Sequence, residues 1–506
     1  QNSTNDEVTY ILNNSEAQVL FIEGKGQIKS WKAIASSCPK IKAVICFEKK
    51  KEESAVIDWN DFLALGKEQL KSNSNCYVEL CRQRKIDETA TLIYTSGTTG
   101  RPKGVVITHL QIMSELKDTF PYLGVTTRDT SLTFLPYAHV LGRIEHWGHL
   151  YIGFTMAYAE SIEKLKFNLR DVKPTIMIAV PRIFEKVYAG ILAQVETNPM
   201  KKKIFRWALS IGKKVSAKKM KRESIPLSLL VAYKAAQKAV LGKISDAMGG
   251  QIRFVVSGGA PLSKEVAEFF HAADVLVLEG YGLTETTAAV CVNTPFDYKF
   301  GTVGKPLADV QVKLAEDGEL LLKSDKVMKE YFQDPESTEK VLKDGWFATG
   351  DIAEILSSGH VKITDRKKDL IKTAGGKYVA PQRLENLLKT HAFISNVLIH
   401  GDQKKYIVAL LTLDPVWLKN WQAENNVTGT PEEVVKNPKI IETVRKAVAE
   451  VNSQLANFET IKSFLVLPHD FTVEAGELTP SLKVKRKVLD QKFKKEIDSL
   501  YPGGSF

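Results

Sequence analysis

Tyr94-Thr95-Ser96-Gly97-Thr98-Thr99-Gly100-Arg101-Pro102-Lys103-Gly104 gathers hydroxyls, glycines and cations at the end of the apolar run Ala90-Thr91-Leu92-Ile93-Tyr94. The run is rich in β-branched and aromatic residues and reads as a buried strand whose exit loop bares backbone N–H groups and hydroxyls. Gly97, Gly100 and Gly104 leave room for phosphate oxygens to approach the backbone, and Arg101 and Lys103 supply positive charge. The segment has the chemistry of a polyphosphate cradle. It lacks the paired glycines and Lys-Ser/Thr of a Walker A loop, which disfavours an ordinary NTPase. A Gly-Thr-Thr-Gly fragment alone would equally suit a flexible surface loop; the whole stretch favours the cradle.

The chain has 506 residues, too many for one compact core, and two to four structural units are expected. With 44% hydrophobic and 25% charged residues it has the composition of a soluble globular protein. No apolar run is long enough for an ordinary transmembrane helix. The start, Gln1-Asn2-Ser3-Thr4-Asn5-Asp6-Glu7, has neither the basic nor the apolar region of a signal peptide, and it lacks an initiator methionine. Cys38, Cys46, Cys76, Cys81 and Cys291 show no metal-ligand spacing and no disulfide framework, so a cytoplasmic protein is expected.

The formal charge of +11 is concentrated between Lys201 and Arg222, where ten residues are basic and none is acidic. Ile204, Phe205, Trp207, Ala208 and Ile211 lie among those cations, the pattern of a basic amphipathic helix. Two readings compete: a solvated helix whose apolar stripe packs on its own domain, or a peripheral contact with anionic lipid headgroups. Nucleic acid is a poor third, since no recognisable binding module accompanies the patch, and no nucleic-acid partner is expected. The sequence sets no oligomeric state.

Apolar, β-branched runs at residues 17–23, 41–47, 91–94, 175–180, 252–256 and 275–278 alternate with helix-length segments at 163–171 and 264–273, the latter with Ser263 as a candidate cap. This alternation predicts an α/β fold with largely parallel sheets, whose ligands sit beyond the carboxyl ends of the strands. The loops at 95–104, 257–262 and 279–285 stand at such ends. From residue 297 to about 364 short alternating stretches, 310–314 and 318–323, predict a small β unit. Asp365-Arg366-Lys367-Lys368-Asp369 then interrupts the chain, and residues 370–506 read as a smaller α+β domain with a helix near 381–389 and strands at 396–400 and 406–413.

Gly280-Tyr281-Gly282-Leu283-Thr284-Glu285 sets glycines that permit flat packing on a planar base beside a hydroxyl and a carboxylate, parts suited to a nucleotide and its Mg²⁺. Alone the loop is more often a turn. Thr349-Gly350-Asp351 offers a carboxylate to ribose hydroxyls, though an isolated Asp there is ordinarily a turn former.

In this order the segments closely resemble the acyl-adenylate-forming superfamily over essentially the whole chain, ending in Leu478-Thr479-Pro480-Ser481-Leu482-Lys483-Val484-Lys485-Arg486. Pro136-Tyr137-Ala138-His139-Val140, Ala157-Tyr158-Ala159-Glu160-Ser161 and Val180-Pro181-Arg182-Ile183-Phe184-Glu185-Lys186-Val187 resemble its long-chain fatty acyl-CoA synthetase branch. Family members usually begin with a further N-terminal segment.

The resemblance implies a large N-terminal domain (1–364) of parallel sheets with a small β-barrel subdomain, a hinge (365–369) and a mobile small domain (370–506). It implies ATP-dependent activation of a long-chain fatty acid to an acyl adenylate with release of pyrophosphate, followed by displacement of AMP by coenzyme A. Lys483 would bridge the carboxylate and the α-phosphate, His139 would lie at the acyl–adenylate junction and Asp365 would be the hinge. Thr95, Ser96, Gly97, Thr98, Thr99, Gly100 and Lys103 would embrace the outer phosphates, with Thr95 and Glu285 holding Mg²⁺. Gly258, Gly259, Ala260, Gly280, Tyr281 and Gly282 would enclose adenine, and Thr284 would stand near the α-phosphate. Asp351 and Arg366 would bind ribose; Lys368 and Lys372 are further nucleotide-binding candidates, each equally readable as a solvated hinge charge. Ala348 and Ser481-Leu482 depart from the commoner histidine and Ser-Gly without removing a required group. An acyl-AMP ligase and a non-catalytic membrane-associated scaffold are the competing readings; the former typically carries an insertion, and none is present between Asp351 and Asp365.

Overall fold

The computed structural model describes residues 4–48, 56–95, 101–196, 198–472, 475–478 and 484–501. They form two compact units, one of residues 1–113 with 328–340 and one of 114–327 with 341–506.

The first unit opens with the helix Asn5–Asn14, started by a capping box in which Thr4 and Glu7 exchange side-chain-to-backbone bonds. Strands Val19–Ile22, Ala43–Cys46 and Ile57–Asp58 form a parallel three-stranded sheet. The strand ahead of the Gly/Thr-rich loop runs Thr89–Thr95, but it is half-buried and antiparallel to Lys103–Thr108, which also pairs with Glu330–Tyr331. The expectation of a buried strand holds only for Ile93; Val105, Val106 and Ile107 on its partner carry the core. A hairpin can leave one face of its outer strand wet, whereas a central parallel strand cannot.

The second unit contains a seven-stranded sheet in the order Lys305–Pro306, Cys291–Val292, Val277–Tyr281, Phe254–Ser257, Ile176–Ala179, Thr130–Thr133, Thr155–Tyr158. Its last five strands are parallel, as the alternation predicts. Leu132, Met177, Val255 and Val277 are fully buried beneath the helices that connect them. Gln311–Leu314 and Glu319–Lys323 pair antiparallel within a five-stranded sheet that includes Trp346–Ile355 and Val361–Arg366. Farther along, Ile394–His400, Ile407–Leu413 and Ile461–Leu467 form a three-stranded sheet with a core of its own, packed by helices that include Pro381–Lys389 and Pro438–Asn452.

The basic segment is the helix Pro199–Met220, capped by Asn198. Phe205, Ala208, Gly212 and Val215 are buried, and Gly212 lies so close to the helix Lys264–Ala272 that a Cβ would stand 2.6 Å from the Ala272 carbonyl oxygen. The stripe therefore packs on its own unit, but Ile204 and Trp207, expected within it, remain exposed. Ser263 occupies the predicted cap position without capping; its hydroxyl donates to Glu265 at 2.6 Å instead. All five cysteines are unpaired, and among the described residues no helix is long and apolar enough to cross a membrane.

His271 ties these helices together. Its Nδ1 lies 2.6 Å from the Ser216 hydroxyl and its Nε2 3.0 Å from the Tyr298 hydroxyl. Burial, with the nearby Lys219 ammonium, lowers its pKa to about 4. Between that value and the ordinary one near 6.5 the unfolded chain binds a proton that the folded chain refuses, so stability falls as pH falls, by about 1.4 kcal/mol per unit at most. His271→Asn should lower the melting temperature at pH 7, and the gap to the unsubstituted protein should narrow steadily toward pH 5; thermal melts across that range check it.

Candidate functional site

The parallel pairing of Val277–Tyr281 with Phe254–Ser257 brings two glycine loops side by side at the carboxyl edge of the seven-stranded sheet. A Cβ at Gly258 would lie 3.8 Å from the Gly280 carbonyl and 3.4 Å from Leu141, in the helix Val140–Ile152 that follows the exposed His139. Gly259 has φ +80° with no atom near its missing Cβ, so the loop turns there over open space. The Ser257 hydroxyl at its base is buried and bonded to no protein group. Glu279 fastens the two loops by accepting the Leu262 N–H at 2.7 Å, and its protected position raises its pKa to about 8.

Beyond Tyr281 the backbone folds back tightly. A Cβ at Gly282 would stand 1.3 Å from the Ala288 carbonyl oxygen, so only glycine fits. Thr284 and Glu285 then lie on a single 3₁₀ turn, Thr284–Thr286, whose entry is fixed by the Leu283 N–H donating to the Thr286 hydroxyl at 2.8 Å.

Three of the residues expected around the nucleotide meet directly. The Tyr281 hydroxyl donates to Asp351 at 2.5 Å, and Arg366 Nε approaches the other Asp351 oxygen at 2.7 Å. Asp351 and Arg366 face one another because Trp346–Ile355 and Val361–Arg366 pair in that register. Burial, then the Asp351 charge, raises the Tyr281 pKa well above its ordinary value, so the phenol stays a donor. The preceding turn is held by groups the sequence does not signal: Thr349 donates to the Leu320 carbonyl at 2.7 Å, and Glu319 accepts the Gly350 N–H at 2.8 Å and the Lys367 ammonium at 2.8 Å. Burial and then the Arg366 charge lower the Lys368 pKa, opposed by Asp369, Asp351 and Glu285.

Asp365 points to the opposite side. It accepts the Gln382 N–H at 3.3 Å, and burial lifts its pKa to about 7. Gln382 lies in the first turn of Pro381–Lys389, so Asp365 satisfies one of the donors that a helix start leaves free. Lys372 lies in the short hairpin with Tyr378, its ammonium 5.7 Å from that ring, and joins none of these contacts among those described. In the first unit, Lys103 donates to Ser337 at 2.7 Å and Thr95 ends its strand. Ser96, Gly97, Thr98, Thr99, Gly100 and Lys483 lie outside the described residues. Among the described residues no group of three His, Cys, Asp or Glu side chains is placed to hold a metal ion.

The sequence profile of AMP-binding enzymes matches residues 1–332, and that of the AMP-binding enzyme C-terminal domain matches residues 368–504. The chain belongs to the AMP-binding enzyme family. Among relatives of this AMP-binding enzyme, long-chain-fatty-acid–CoA ligase FadD15 of Mycobacterium bovis is 36% identical over 99% of this chain and 83% of its own length. Long chain acyl-CoA synthetase 1 of Arabidopsis thaliana is 32% identical over 98% of this chain and 78% of its own. The fold is shared with the adenylation domain of a carboxylate reductase from Mycobacterium chelonae, with a TM-score of 0.70 at 22% identity over 99% of this chain and 75% of that one. It is shared too with o-succinylbenzoate coenzyme A synthetase of Bacillus subtilis in complex with ATP and magnesium ion, with a TM-score of 0.62 at 20% identity over 97% and 82% of the two chains.

The close turn at Gly282 gives a direct stability test. Gly282→Ala should cost about 2–3 kcal/mol, because a backbone atom blocks the new methyl group. Gly280→Ala, whose Cβ would find its nearest neighbours at 3.5 Å, should leave the melting temperature nearly unchanged.

Proposed function

We propose that this AMP-binding enzyme is a long-chain fatty acid–CoA ligase, converting a fatty acid and ATP to acyl-AMP and pyrophosphate, then acyl-AMP and coenzyme A to acyl-CoA and AMP. The observation that carries this reading is the near full-length likeness to long-chain-fatty-acid–CoA ligases. The chemical difficulty is the first step, since a carboxylate and a triphosphate repel each other in a low-dielectric cleft. Cations and backbone donors must therefore lie between them before they meet.

In this reading the Gly258–Ala260 and Gly280–Tyr281 loops hold adenine, and Asp351 takes the ribose hydroxyls. The bond from Tyr281 to Asp351 supports that role by locking the phenol ring beside Gly280 and setting the carboxylate next to the glycine loop. Arg366 holds the Asp351 carboxylate in its orientation. Thr284 faces the α-phosphate, and the loop from Thr95 to Lys103 takes the outer phosphates. Mg²⁺, when bound through Glu285, neutralises phosphate charge. Lys483 bridges the two reacting anions, and His139 stands at the acyl–adenylate junction.

Residues 365–369 act as the hinge between the large domain and the segment from 370 onward. Asp365 supports this assignment because its carboxylate accepts the Gln382 N–H in the first turn of Pro381–Lys389, the helix that opens the segment beyond residue 370. The strands before and after residues 356–360 form a direct hairpin, without the insertion that would favour an acyl-AMP ligase.

Assays of AMP and thioester formation with ATP, Mg²⁺ and palmitate, with and without coenzyme A, test the reading. Thioester should form only with coenzyme A, and Lys483→Ala should reduce adenylation at least about 100-fold, the scale of one transition-state electrostatic contact. Adenylate accumulating without thioester would favour the acyl-AMP ligase, and no turnover with any chain length would favour the scaffold.

The finer proposal is a peripheral membrane contact through the basic helix. Met200, Ile204 and Trp207 are exposed on it among lysines and arginines, with Leu227 and Val231 exposed on the adjoining helix Leu227–Ala236. Apolar side chains ringed by cations fit an anionic bilayer surface. Ile204→Ser with Trp207→Ser should weaken sedimentation with phosphatidylglycerol vesicles about tenfold or more without lowering the melting temperature, as expected for removing two interfacial apolar groups. Unchanged binding would reject the contact.

A further inference from the structure

Thr287 and Ala288 follow Glu285 with φ +56° and +102°, two consecutive residues with side chains in the left-handed region. Such conformations persist only where their surroundings over-determine them. Here the surroundings come from distant parts of the chain. The Thr287 hydroxyl donates to the Lys326 carbonyl at 2.8 Å, and the Ala289 N–H donates to Glu115 Oε1 at 3.0 Å.

Both anchors are unusual. Lys326 has no exposed surface, and its ammonium donates to Ser114 at 3.1 Å and Asp118 at 2.6 Å as well as to Asp309, so its backbone is held from its own side chain. Glu115 is equally buried. Its Oε1 also accepts the Thr119 hydroxyl at 3.0 Å, while Oε2 has no partner. An apolar residue of similar size would fill that space without an unsatisfied oxygen. What it could not supply is an acceptor for the Ala289 N–H at the end of the strained turn.

We propose that Glu115 and Thr287 are positioning residues that clamp the turn at 287–289 against the helix His109–Tyr122 and the Lys326 backbone, and so fix Thr284 and Glu285 for Mg²⁺-nucleotide. The proposal rests on the assignment of Glu285 to the metal. Neither residue touches the reacting atoms. Each acts through the backbone that carries Glu285, and the Gly282 carbon packed against the Ala288 carbonyl transmits any movement of the turn to the loop beside Tyr281.

Two substitution pairs test it, each with a conservative partner. Glu115→Met removes the acceptor and Glu115→Gln keeps one; Thr287→Val removes the donor and Thr287→Ser keeps it. Hydrogen–deuterium exchange over residues 283–290 and the Mg²⁺ dependence of ATP–pyrophosphate exchange with palmitate are measured on all four, with Glu285→Gln as the control for the metal. Glu115→Met or Thr287→Val should speed exchange in the turn and raise half-saturating Mg²⁺ about tenfold, the effect of one buried hydrogen bond, with the palmitate KM unchanged and the conservative variants close to the unsubstituted enzyme. Unaltered exchange in the turn, or a common decline of every kinetic constant with melting temperature, would overturn the clamp. Faster exchange with unchanged Mg²⁺ dependence would overturn its role in metal positioning when Glu285→Gln does shift that dependence. If Glu285→Gln shifts nothing, the metal assignment itself fails and takes the positioning role with it, while the exchange data still decide whether the clamp exists.

Discussion

Asp351 is only 2% exposed, and its carboxylate is engaged by a phenol on one side and a guanidinium on the other. Charge-assisted bonds of this kind are short and directional, and in a protected setting each partner is costly to leave alone. The three side chains come from the parallel sheet and from two strands of the antiparallel one, so the contact sets how the strand Val277–Tyr281 meets the hairpin of Trp346–Ile355 and Val361–Arg366. The glycine loops gain their definition from the same contact. Tyr281 lies between Gly280 and Gly282, and neither glycine has a side chain with which to anchor itself.

The strand Val361–Arg366 extends that constraint in a second direction. Neighbouring residues of a strand face opposite sides. Arg366 thus reaches Asp351 while Asp365 reaches the first turn of Pro381–Lys389. That helix also carries Glu385, which accepts the Ile399 N–H at 3.0 Å and the half-buried Arg486 guanidinium at 2.6 Å. Arg486 donates in addition to the Ile399 carbonyl at 2.6 Å, so the end of the chain that follows Lys483 is tied to the helix that starts at Asp365. Two adjacent residues thereby connect Asp351 and Tyr281 to the C-terminal segment of the protein.

The legible parts of the sequence were those whose chemistry is local. Glycine with hydroxyl residues marked the loops at 257–262 and 279–285, β-branched runs marked the parallel strands, and the ten cations marked a helix. Burial was less legible: composition could not tell that Thr89–Thr95 is an outer strand of a hairpin or that Trp207 turns away from the stripe containing Phe205 and Ala208. Least legible were contacts set by register and packing over long separations. Glu115 meets Ala289 across 174 positions, and Lys326 meets Asp118 across 208. No spacing rule relates such residues; a buried acid in an otherwise amphipathic helix is a signal only after the fold shows which face is covered.

Burial has a common electrostatic consequence around these loops. Glu115 and Glu279 are raised to about 8, and Glu145, which accepts the Ser131 and Thr133 hydroxyls at 2.6 Å each, is raised to about 7. Desolvation is the leading cause in all three, because a charged carboxylate loses more by leaving water than a neutral carboxyl does. Each group keeps its proton in the folded chain where the unfolded chain would release it, so its contribution to stability falls as pH rises from about 4.5 toward the folded value. That cost is greatest in the neutral and alkaline range, yet hydrogen bonding alone could be had from amides. A protonated carboxyl shares with those amides a donor and an acceptor in one compact group with no net charge. Acids that stay neutral can hold the loops at 257–262 and 279–285 in place without adding negative charge beside them.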